Sequence, residues 1–237
     1  MMLLNPVQSY PLSQTNLLSV YIHFNGVING DAYTNGVSQY SSSTAYSASS
    51  TWDYMIYSAA PYSPTDTENN SGPVINRSRC VSATVTGYKD IWGTNTNVTL
   101  SKGSSAGLYG YAAGPYNPGY WGFLFDYLFS GTSTYISMSG LNVGTYDLYL
   151  YAAADILDAD ILEYCKFTVY SGSTSSSRST SNNATWGNGS LTVWTENTTY
   201  LKFSNHSTAD GKINVLWEVA AGSSYGPLNG IQIVQTK

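Results

Sequence analysis

Ionic side chains are scarce in this 237-residue chain, of which only 10% is charged, against about a quarter of an average soluble domain. The low charge does not predict a disordered chain, because 42% of the residues are hydrophobic and 14% aromatic, enough to build a sizeable core. The surface must therefore be covered by Ser, Thr, Asn, Gly and Tyr, a composition common on exported proteins. We expect an extracellular or cell-surface location.

Basic clusters and long apolar runs are missing as well. The net charge is −5, and nine Lys and Arg are scattered along the chain, which gives no basic footprint for nucleic acid or anionic lipid. No apolar run approaches the roughly 20 residues that span a bilayer. The sequence predicts no nucleic-acid partner and no membrane span.

Helical periodicity is nearly absent, and short alternating runs are broken by Gly, Asn, Pro and Ser clusters instead. The clearest hairpin is predicted where STYISMSGL (133–141) and TYDLYLYAAA (145–154) flank an NVG turn. The Ser-rich residues 171–185 are predicted to form a loop. About ten to twelve such strands indicate an all-β fold, an antiparallel jelly-roll-like β-sandwich formed by residues 17–237 as a single domain.

The residues before the first predicted strand form an extended arm or linker, residues 1–16. The segment MMLLNPVQSYPL carries apolar residues and two prolines, which make it a poor central strand. It is either a frayed end or an arm that lies on its own sandwich or completes the sheet edge of a neighbouring subunit. The second alternative predicts a homo-oligomer or polymer held through the arm.

Aromatic residues concentrate in GPYNPGYWGFLFDYLF (114–129). In a strand, alternation places five rings on one face: Trp121, Phe123, Phe125, Tyr127 and Phe129. Such a face favours a buried core, with a subunit interface or a ligand platform as the alternatives.

Tyrosines just before and within this stretch lie among Gly and Pro, in a predicted loop. An exposed Tyr ring offers a flat apolar face and a hydroxyl, suited to stacking on sugars or packing against another protein. The predicted ligand or subunit contacts are Tyr109, Tyr111, Tyr116, Tyr120 and Trp121. Local packing of the loop is the alternative for each tyrosine.

Four carboxylates fall within nine residues of AAADILDADILEY, namely Asp155, Asp158, Asp160 and Glu163. Oxygen ligands of this kind suit Ca²⁺, although the spacing does not match a helix-loop-helix calcium site. The cluster is either a calcium site or a solvated loop. No other cofactor is expected.

Two cysteines, Cys80 and Cys165, can form one disulfide in an oxidising compartment. Strand alternation gives them different faces, so a bridge and two separate thiols both stay open. Glycosylation sequons include Asn97, Asn183, Asn188, Asn197 and Asn205, with further ones at Asn69 and Asn76.

Catalytic constellations are sparse. The only histidines are His23, in an apolar strand, and His206, in a predicted Asn-Ser loop, so a Ser-His-acid triad has few candidates. The acids Asp53, Asp90, Asp126, Glu196 and Glu218 are dispersed, with no sign of a glycosidase pair. We expect no enzyme.

The second half of the chain has a characteristic order, in which a strand ending in Gly-Leu turns through Gly into TYDLYLYA, and the domain closes on NGIQI. The positions involved are Gly140, Leu141, Gly144, Tyr146, Leu148, Tyr151, Asn229, Gly230, Gln232 and Ile233. This pattern resembles exported bacterial β-sandwich domains related to carbohydrate-binding modules and galactose-binding-like jelly rolls. The resemblance covers about residues 17–236 and implies the fold, whereas function does not follow from fold.

The sequence thus predicts a non-catalytic extracellular structural or adhesive protein, a self-associating surface or fibre subunit. The alternative is a carbohydrate-binding module that uses loop tyrosines with Trp186 or Trp194 as stacking rings. A polysaccharide hydrolase is a third, weaker hypothesis.

Overall fold

The computed structural model describes residues 17–25, 38–39, 51–56, 74–77, 84–88, 90–92, 94–103, 107–111, 126–130, 132–152, 165–181, 195–221, 223 and 226–237. Within these ranges every regular element is a β-strand. No helix long and apolar enough to cross a membrane occurs in the described residues. The predicted arm, residues 1–16, lies outside them.

Two large sheets make up most of the described fold. Sheet 1 has the spatial order β13 (Tyr200–Thr208), β10 (Gly144–Tyr151), β16 (Gly230–Gln235), β1 (Ser19–Asn25), β3 (Thr51–Ile56) and β2 (Ser38–Gln39). Sheet 2 has the order β12 (Thr174–Ser179), β11 (Cys165–Ser171), β14 (Ile213–Val219), β9 (Thr134–Ser139), β6 (Thr99–Lys102) and β5 (Thr84–Thr86).

A smaller third sheet joins four short strands. They are, in order, β15 (Gly226–Leu228), β8 (Asp126–Ser130), β7 (Gly107–Tyr111) and β4 (Val74–Arg77). Because β15 leads directly into β16, this sheet lies near the end of the sandwich where β16 begins. Leu228 of β15 belongs to the main hydrophobic core.

The core lies between sheets 1 and 2 and follows the alternation of side chains along each strand. In β9, Ile136 and Met138 point inward, and in β14, Val215 and Trp217 do the same; all four are fully buried. The Trp217 ring stacks on Phe167 of β11, with centroids 6.4 Å apart. Burial of each such side chain contributes about 1.5–3 kcal/mol, so packing of the two sheets stabilises the fold.

The predicted fold class is confirmed, since nearly all strand pairs are antiparallel. The exception among the described pairs is β1 with β3, which run parallel, with Ile22 opposite Asp53 and His23 opposite Tyr54. A parallel pair needs a crossover connection. Residues 26–50, between these strands, include the short β2, which pairs antiparallel with β3.

The predicted hairpin of residues 133–154 is wrong. β9 pairs with β14 and β6 in sheet 2, whereas β10 pairs with β13 and β16 in sheet 1. Residues 140–143 therefore cross from one sheet to the other. Both strands alternate apolar and polar residues, and that alternation fits a sandwich with the two strands in opposite sheets as well as it fits a hairpin.

Two predicted loops contain strands. The Ser-rich segment forms β12, which pairs with β11 from Lys166↔Ser179 to Ser171↔Thr174. The segment with Tyr109 and Tyr111 forms β7, which pairs with β8 and β4. Neither segment has the apolar alternation that identifies a strand from sequence. Backbone pairing with neighbouring strands holds each segment in its sheet instead.

The outer faces of the two large sheets differ in exposure. On sheet 1 the outward side chains of Tyr21, Tyr149, Gln232 and Val234 are buried. On sheet 2 the outward residues of β9, β11 and β14 alternate with buried ones and are mostly exposed or half-buried. Sheet 2 therefore offers the more open face.

Candidate functional site

Two exposed tyrosines stand on the outer face of sheet 2. Tyr135 of β9 is 55% exposed and Tyr170 of β11 is 39% exposed. Both have the opposite parity to buried neighbours, which fixes their rings on the solvent side. Between them runs β14, which places Leu216 opposite Tyr135 and Asn214 opposite Tyr170.

Short polar side chains surround the two rings. Thr168 lies opposite Leu216, and its hydroxyl donates to Ser177 on β12 at 3.0 Å. Ser137 lies opposite Asn214 on the far side of β14. We call these residues the tyrosine face: Tyr135, Ser137, Thr168, Tyr170, Asn214 and Leu216.

One charged pair lies at the border of the tyrosine face. Lys166 and Glu218 are cross-strand partners, and Lys166 Nζ lies 2.8 Å from Glu218 Oε2. The six residues of the face itself carry no charge at neutral pH. The face therefore presents hydroxyls, an amide and rings rather than an ionic field.

The two rings are too far apart for one small ligand. Tyr135 and Tyr170 are separated by two strand spacings and by one two-residue step along the strand, which places their Cα atoms about 12 Å apart. A ligand that contacts both rings must extend obliquely across β14.

His206, predicted in a loop, lies in β13 and is buried. The burial of His206 results from a β-bulge. The register of β13 against β10 shifts between the pairs Tyr146↔His206 and Leu148↔Phe203. Asn205 takes a φ of 62° there, and its amide donates to Asp147 Oδ1 at 3.0 Å. The extra residue turns His206 toward the interior.

Asp147 also stabilises the strand beside the bulge. Its Oδ2 lies 3.0 Å from Lys202 Nζ. Hydrogen bonding to Asp147 raises the pKa of Lys202 well above its usual range. Burial lowers the pKa of His206, an effect that the Asp147 charge partly opposes.

The predicted contact residues are only partly described. Tyr109 and Tyr111 belong to β7, where Tyr109 is the cross-strand partner of both Asn76 and Tyr127. Tyr116, Tyr120 and Trp121 lie outside the described residues, as do Trp186 and Trp194. Their role as ligand or subunit contacts stays a prediction.

The predicted calcium cluster, Asp155, Asp158, Asp160 and Glu163, also lies outside the described residues. Among the residues that are described, no group of three or more His, Cys, Asp or Glu side chains is placed to hold a metal ion. The calcium site stays a prediction.

The predicted disulfide is not tested, because Cys80 lies outside the described residues. Cys165 is buried in the core, and its sulfur lies 2.9 Å from the carbonyl oxygen of Pro227. Of the predicted glycosylation positions, Asn97, Asn197 and Asn205 are exposed. Asn183 and Asn188 lie outside the described residues.

The tyrosine face differs from the predicted contacts, which rest on rings that lie among Gly and Pro in the sequence. The signal was present in the predicted strands, where Tyr135 precedes the alternating Ile136 and Met138, and Tyr170 follows Val169. A large ring on the polar side of an otherwise regular strand marks an exposed aromatic. That two such rings share one face follows only from the sheet order.

No protein family and no curated protein matches the sequence. The similar solved structures include TmCBM61 in complex with β-1,4-galactotriose, at 10% identity and a TM-score of 0.31, covering 58% of this chain and 88% of that one. Another contains CBM51-2 with GlcNAc and INT domains from Clostridium perfringens ZmpB, at 10% identity and a TM-score of 0.31, covering 47% and 22%. A third is the insecticidal crystal protein Cry2Aa, at 14% and 0.35, covering 63% and 24%. Likeness this weak does not extend what those proteins bind to this chain.

Proposed function

We propose that the protein is a non-catalytic, extracellular carbohydrate-binding β-sandwich that binds a neutral glycan chain on the tyrosine face. The observation that carries this proposal is the pair of exposed rings, Tyr135 and Tyr170, on a sheet face of hydroxyls and one amide. A tyrosine ring packs against the apolar face of a sugar ring, while short polar side chains bond to sugar hydroxyls.

The spacing of the rings indicates a chain rather than a single sugar. At about 12 Å between Cα atoms, Tyr135 and Tyr170 each need a sugar of their own. At least one further sugar then lies over β14, where Leu216 offers an apolar contact and Asn214 offers hydrogen bonds. The ligand is an extended oligosaccharide that crosses the strands.

The charge of the face favours neutral glycans. The six residues of the tyrosine face are uncharged, and Lys166 at its border is paired with Glu218, so the face itself offers no cation to a uronate or sulfate. Desolvating an unpaired anion on such a surface is unfavourable. Neutral sugars with equatorial hydroxyls and apolar ring faces fit better.

Alanine substitution at the two rings tests the proposal. After a glycan array identifies a neutral oligosaccharide, calorimetry on Tyr135→Ala and Tyr170→Ala is expected to show about tenfold weaker binding for each, or about 1.4 kcal/mol. The loss has this size because each variant removes one stacked ring. Both rings are exposed, so circular dichroism is expected to show an unchanged fold.

The matched control is Trp92→Ala, which removes an exposed ring beside Ile91, whose amide bonds to Ser19 at the end of the sandwich. This variant is expected to bind like the native protein. Unchanged affinity in both tyrosine variants, or no saturable binding to any neutral glycan, would sink the proposal.

Self-association is a second candidate function, favoured by exposed apolar residues at one end of the sandwich. Leu17, Trp92 and Val143 are all exposed, Val143 to 71%. Leu17 and Val143 adjoin Leu18 and Asn142, which both donate to Gln235 Oε1. Trp92 adjoins Ile91, whose amide donates to the carbonyl oxygen of Ser19 in strand β1. Leu17, the first described residue after the predicted arm of residues 1–16, belongs to this group.

Deletion of residues 2–14 tests this candidate. If the arm of one copy binds the apolar end of another, the full chain assembles at high concentration, and light scattering on the truncated chain shows monomers. Trp92→Ala is expected to weaken assembly without affecting glycan binding. Assembly that persists unchanged after the deletion would contradict the role of the arm.

A further inference from the structure

His206 joins the two large sheets through a chain of hydroxyl groups. Its Nε2 lies 2.7 Å from Ser176 Oγ on β12, and its Nδ1 lies 3.1 Å from Ser171 Oγ at the end of β11. Ser171 Oγ is in turn 3.0 Å from Thr174 Oγ1. Since β13 is in sheet 1 and the β11–β12 hairpin is in sheet 2, these bonds tie one sheet to the other.

Counting the hydroxyl protons fixes the tautomer of the ring. Thr174 Oγ1 donates its proton to the Ser171 carbonyl at 2.8 Å, so Ser171 Oγ must donate to Thr174 and accept from His206 Nδ1–H. His206 Nε2 is then unprotonated and accepts from Ser176 Oγ–H. With the imidazole neutral, every proton in this chain has a partner, whereas an imidazolium requires the Ser176 hydroxyl to turn so that its oxygen accepts from Nε2–H.

The charges around His206 do not stabilise a second proton strongly. From β10, Tyr146 is its cross-strand partner, and Asp147 attracts the imidazolium but is already paired with Lys202. From β12, Arg178 is paired with Glu196 at 3.0 Å. The ring is 5% exposed, and this burial lowers its pKa.

The hairpin held by His206 also carries part of the tyrosine face. Ser171, which accepts from His206, directly follows Tyr170 in β11. Ser176 lies one residue from both Ser175, the cross-strand partner of Tyr170, and Ser177, which accepts from Thr168. The bond between His206 and Ser171 therefore lies one residue from the exposed Tyr170.

Arg178 holds the other end of the hairpin independently. Its guanidinium donates to the carbonyl oxygen of Lys202 on β13 and to Asn197 Oδ1 at 2.6 Å. These bonds do not involve the imidazole, so Arg178 still holds its end of β12 to β13 when the His206 bonds are lost.

We propose that His206 is a proton-sensitive anchor: neutral, it holds the turn end of the β11–β12 hairpin against sheet 1, and protonated, it releases that end and displaces Tyr170. Protonation forces the Ser176 hydroxyl to turn from donor to acceptor, and it places a charge in a site that is only 5% exposed. The part of this proposal that concerns ligand binding rests on the proposed function; the opening of the hairpin does not.

Hydrogen–deuterium exchange measured from pH 7.5 to pH 5 tests the opening directly. After correction for the intrinsic exchange rate, the opening constant of residues 170–177 is expected to rise by up to about tenfold per pH unit below the ordinary pKa of His. Residues 230–235 of β16, which are separated from β13 by β10, are expected to change little.

Two substitutions make the test specific. His206→Gln keeps a donor and an acceptor but does not titrate, so the pH dependence is expected to vanish. His23→Gln removes the other histidine of the chain, and this variant is expected to keep the pH dependence of the native protein. The same dependence in His206→Gln, or none in the native protein, would overturn the anchor.

Glycan affinity measured over the same pH range separates the two proposals. Weaker binding in acid by the native protein, with constant binding by His206→Gln, supports the coupling to Tyr170. A protein that binds no glycan but still opens below pH 6.5 refutes the proposed function and retains the anchor. If glycan affinity stays constant with pH while the hairpin opens, the coupling between His206 and Tyr170 is refuted.

Discussion

Single glycines decide how the chain crosses between the sheets. Gly140 has a φ of 71°, and a Cβ there would lie 2.0 Å from the Asn97 carbonyl oxygen. Gly211 has a φ of 70°, and its Cβ would lie 2.5 Å from the Leu141 carbonyl oxygen. The Leu141 amide donates to Gly211 at 3.2 Å, so both glycines allow backbones to meet around the crossover of residues 140–143.

Replacement of Gly140 by Ala is expected to destabilise the protein by more than the conformational cost alone. The left-handed backbone costs about 1–2 kcal/mol for a residue with a Cβ, and the contact with a backbone oxygen adds about 2 kcal/mol or more. The matched control is Gly172→Ala, because Gly172 has a φ of 56° but nothing within 4 Å of its Cβ position. Urea unfolding measures both variants, and equal losses would show that the contact at Gly140 relaxes at no cost.

At the scale of elements, alternation predicted most strands but not their partners. The segments of β9 and β10 were predicted as strands because apolar and polar residues alternate along them. The assignment of β9 and β10 to one hairpin was wrong, because alternation defines an inner face and does not say in which sheet that face lies. Only the long-range pairs, such as Val215↔Ile136, settle the sheet order.

β12 and the bulge in β13 were beyond sequence reasoning for a different reason. β12 is TSSSRS, and hydrogen bonds such as Thr168 to Ser177 stabilise it without any apolar periodicity. His206 was predicted to lie in a polar loop, because the bulge at Asn205 shifts the alternation of inward and outward residues along β13. Both features adjoin His206, so the region with the least apolar alternation was also the least predictable from the sequence.

At the scale of the whole molecule, the scarcity of charge leaves packing as the main source of stability. The ion pairs found among the described residues are Lys166–Glu218, Arg178–Glu196 and Lys202–Asp147. The side chains of the first two pairs are substantially exposed to solvent, and exposed pairs contribute about 0–1 kcal/mol each. The core between the sheets, by contrast, contains large buried rings such as Trp217 and Phe167.

The free energy of unfolding is therefore expected to depend little on ionic strength. Raising NaCl from about 0.05 M to about 0.5 M screens exposed charges and is expected to change it by less than about 1 kcal/mol in urea titrations. Phe167→Ala is expected to cost about 3–5 kcal/mol at either salt concentration, because it removes a ring stacked on Trp217 and leaves a cavity in the core.

Affinity for a neutral glycan is likewise expected to vary less than about twofold with salt, since the tyrosine face uses no net charge. A steep fall in affinity with salt would indicate an ionic ligand and a binding site other than this face.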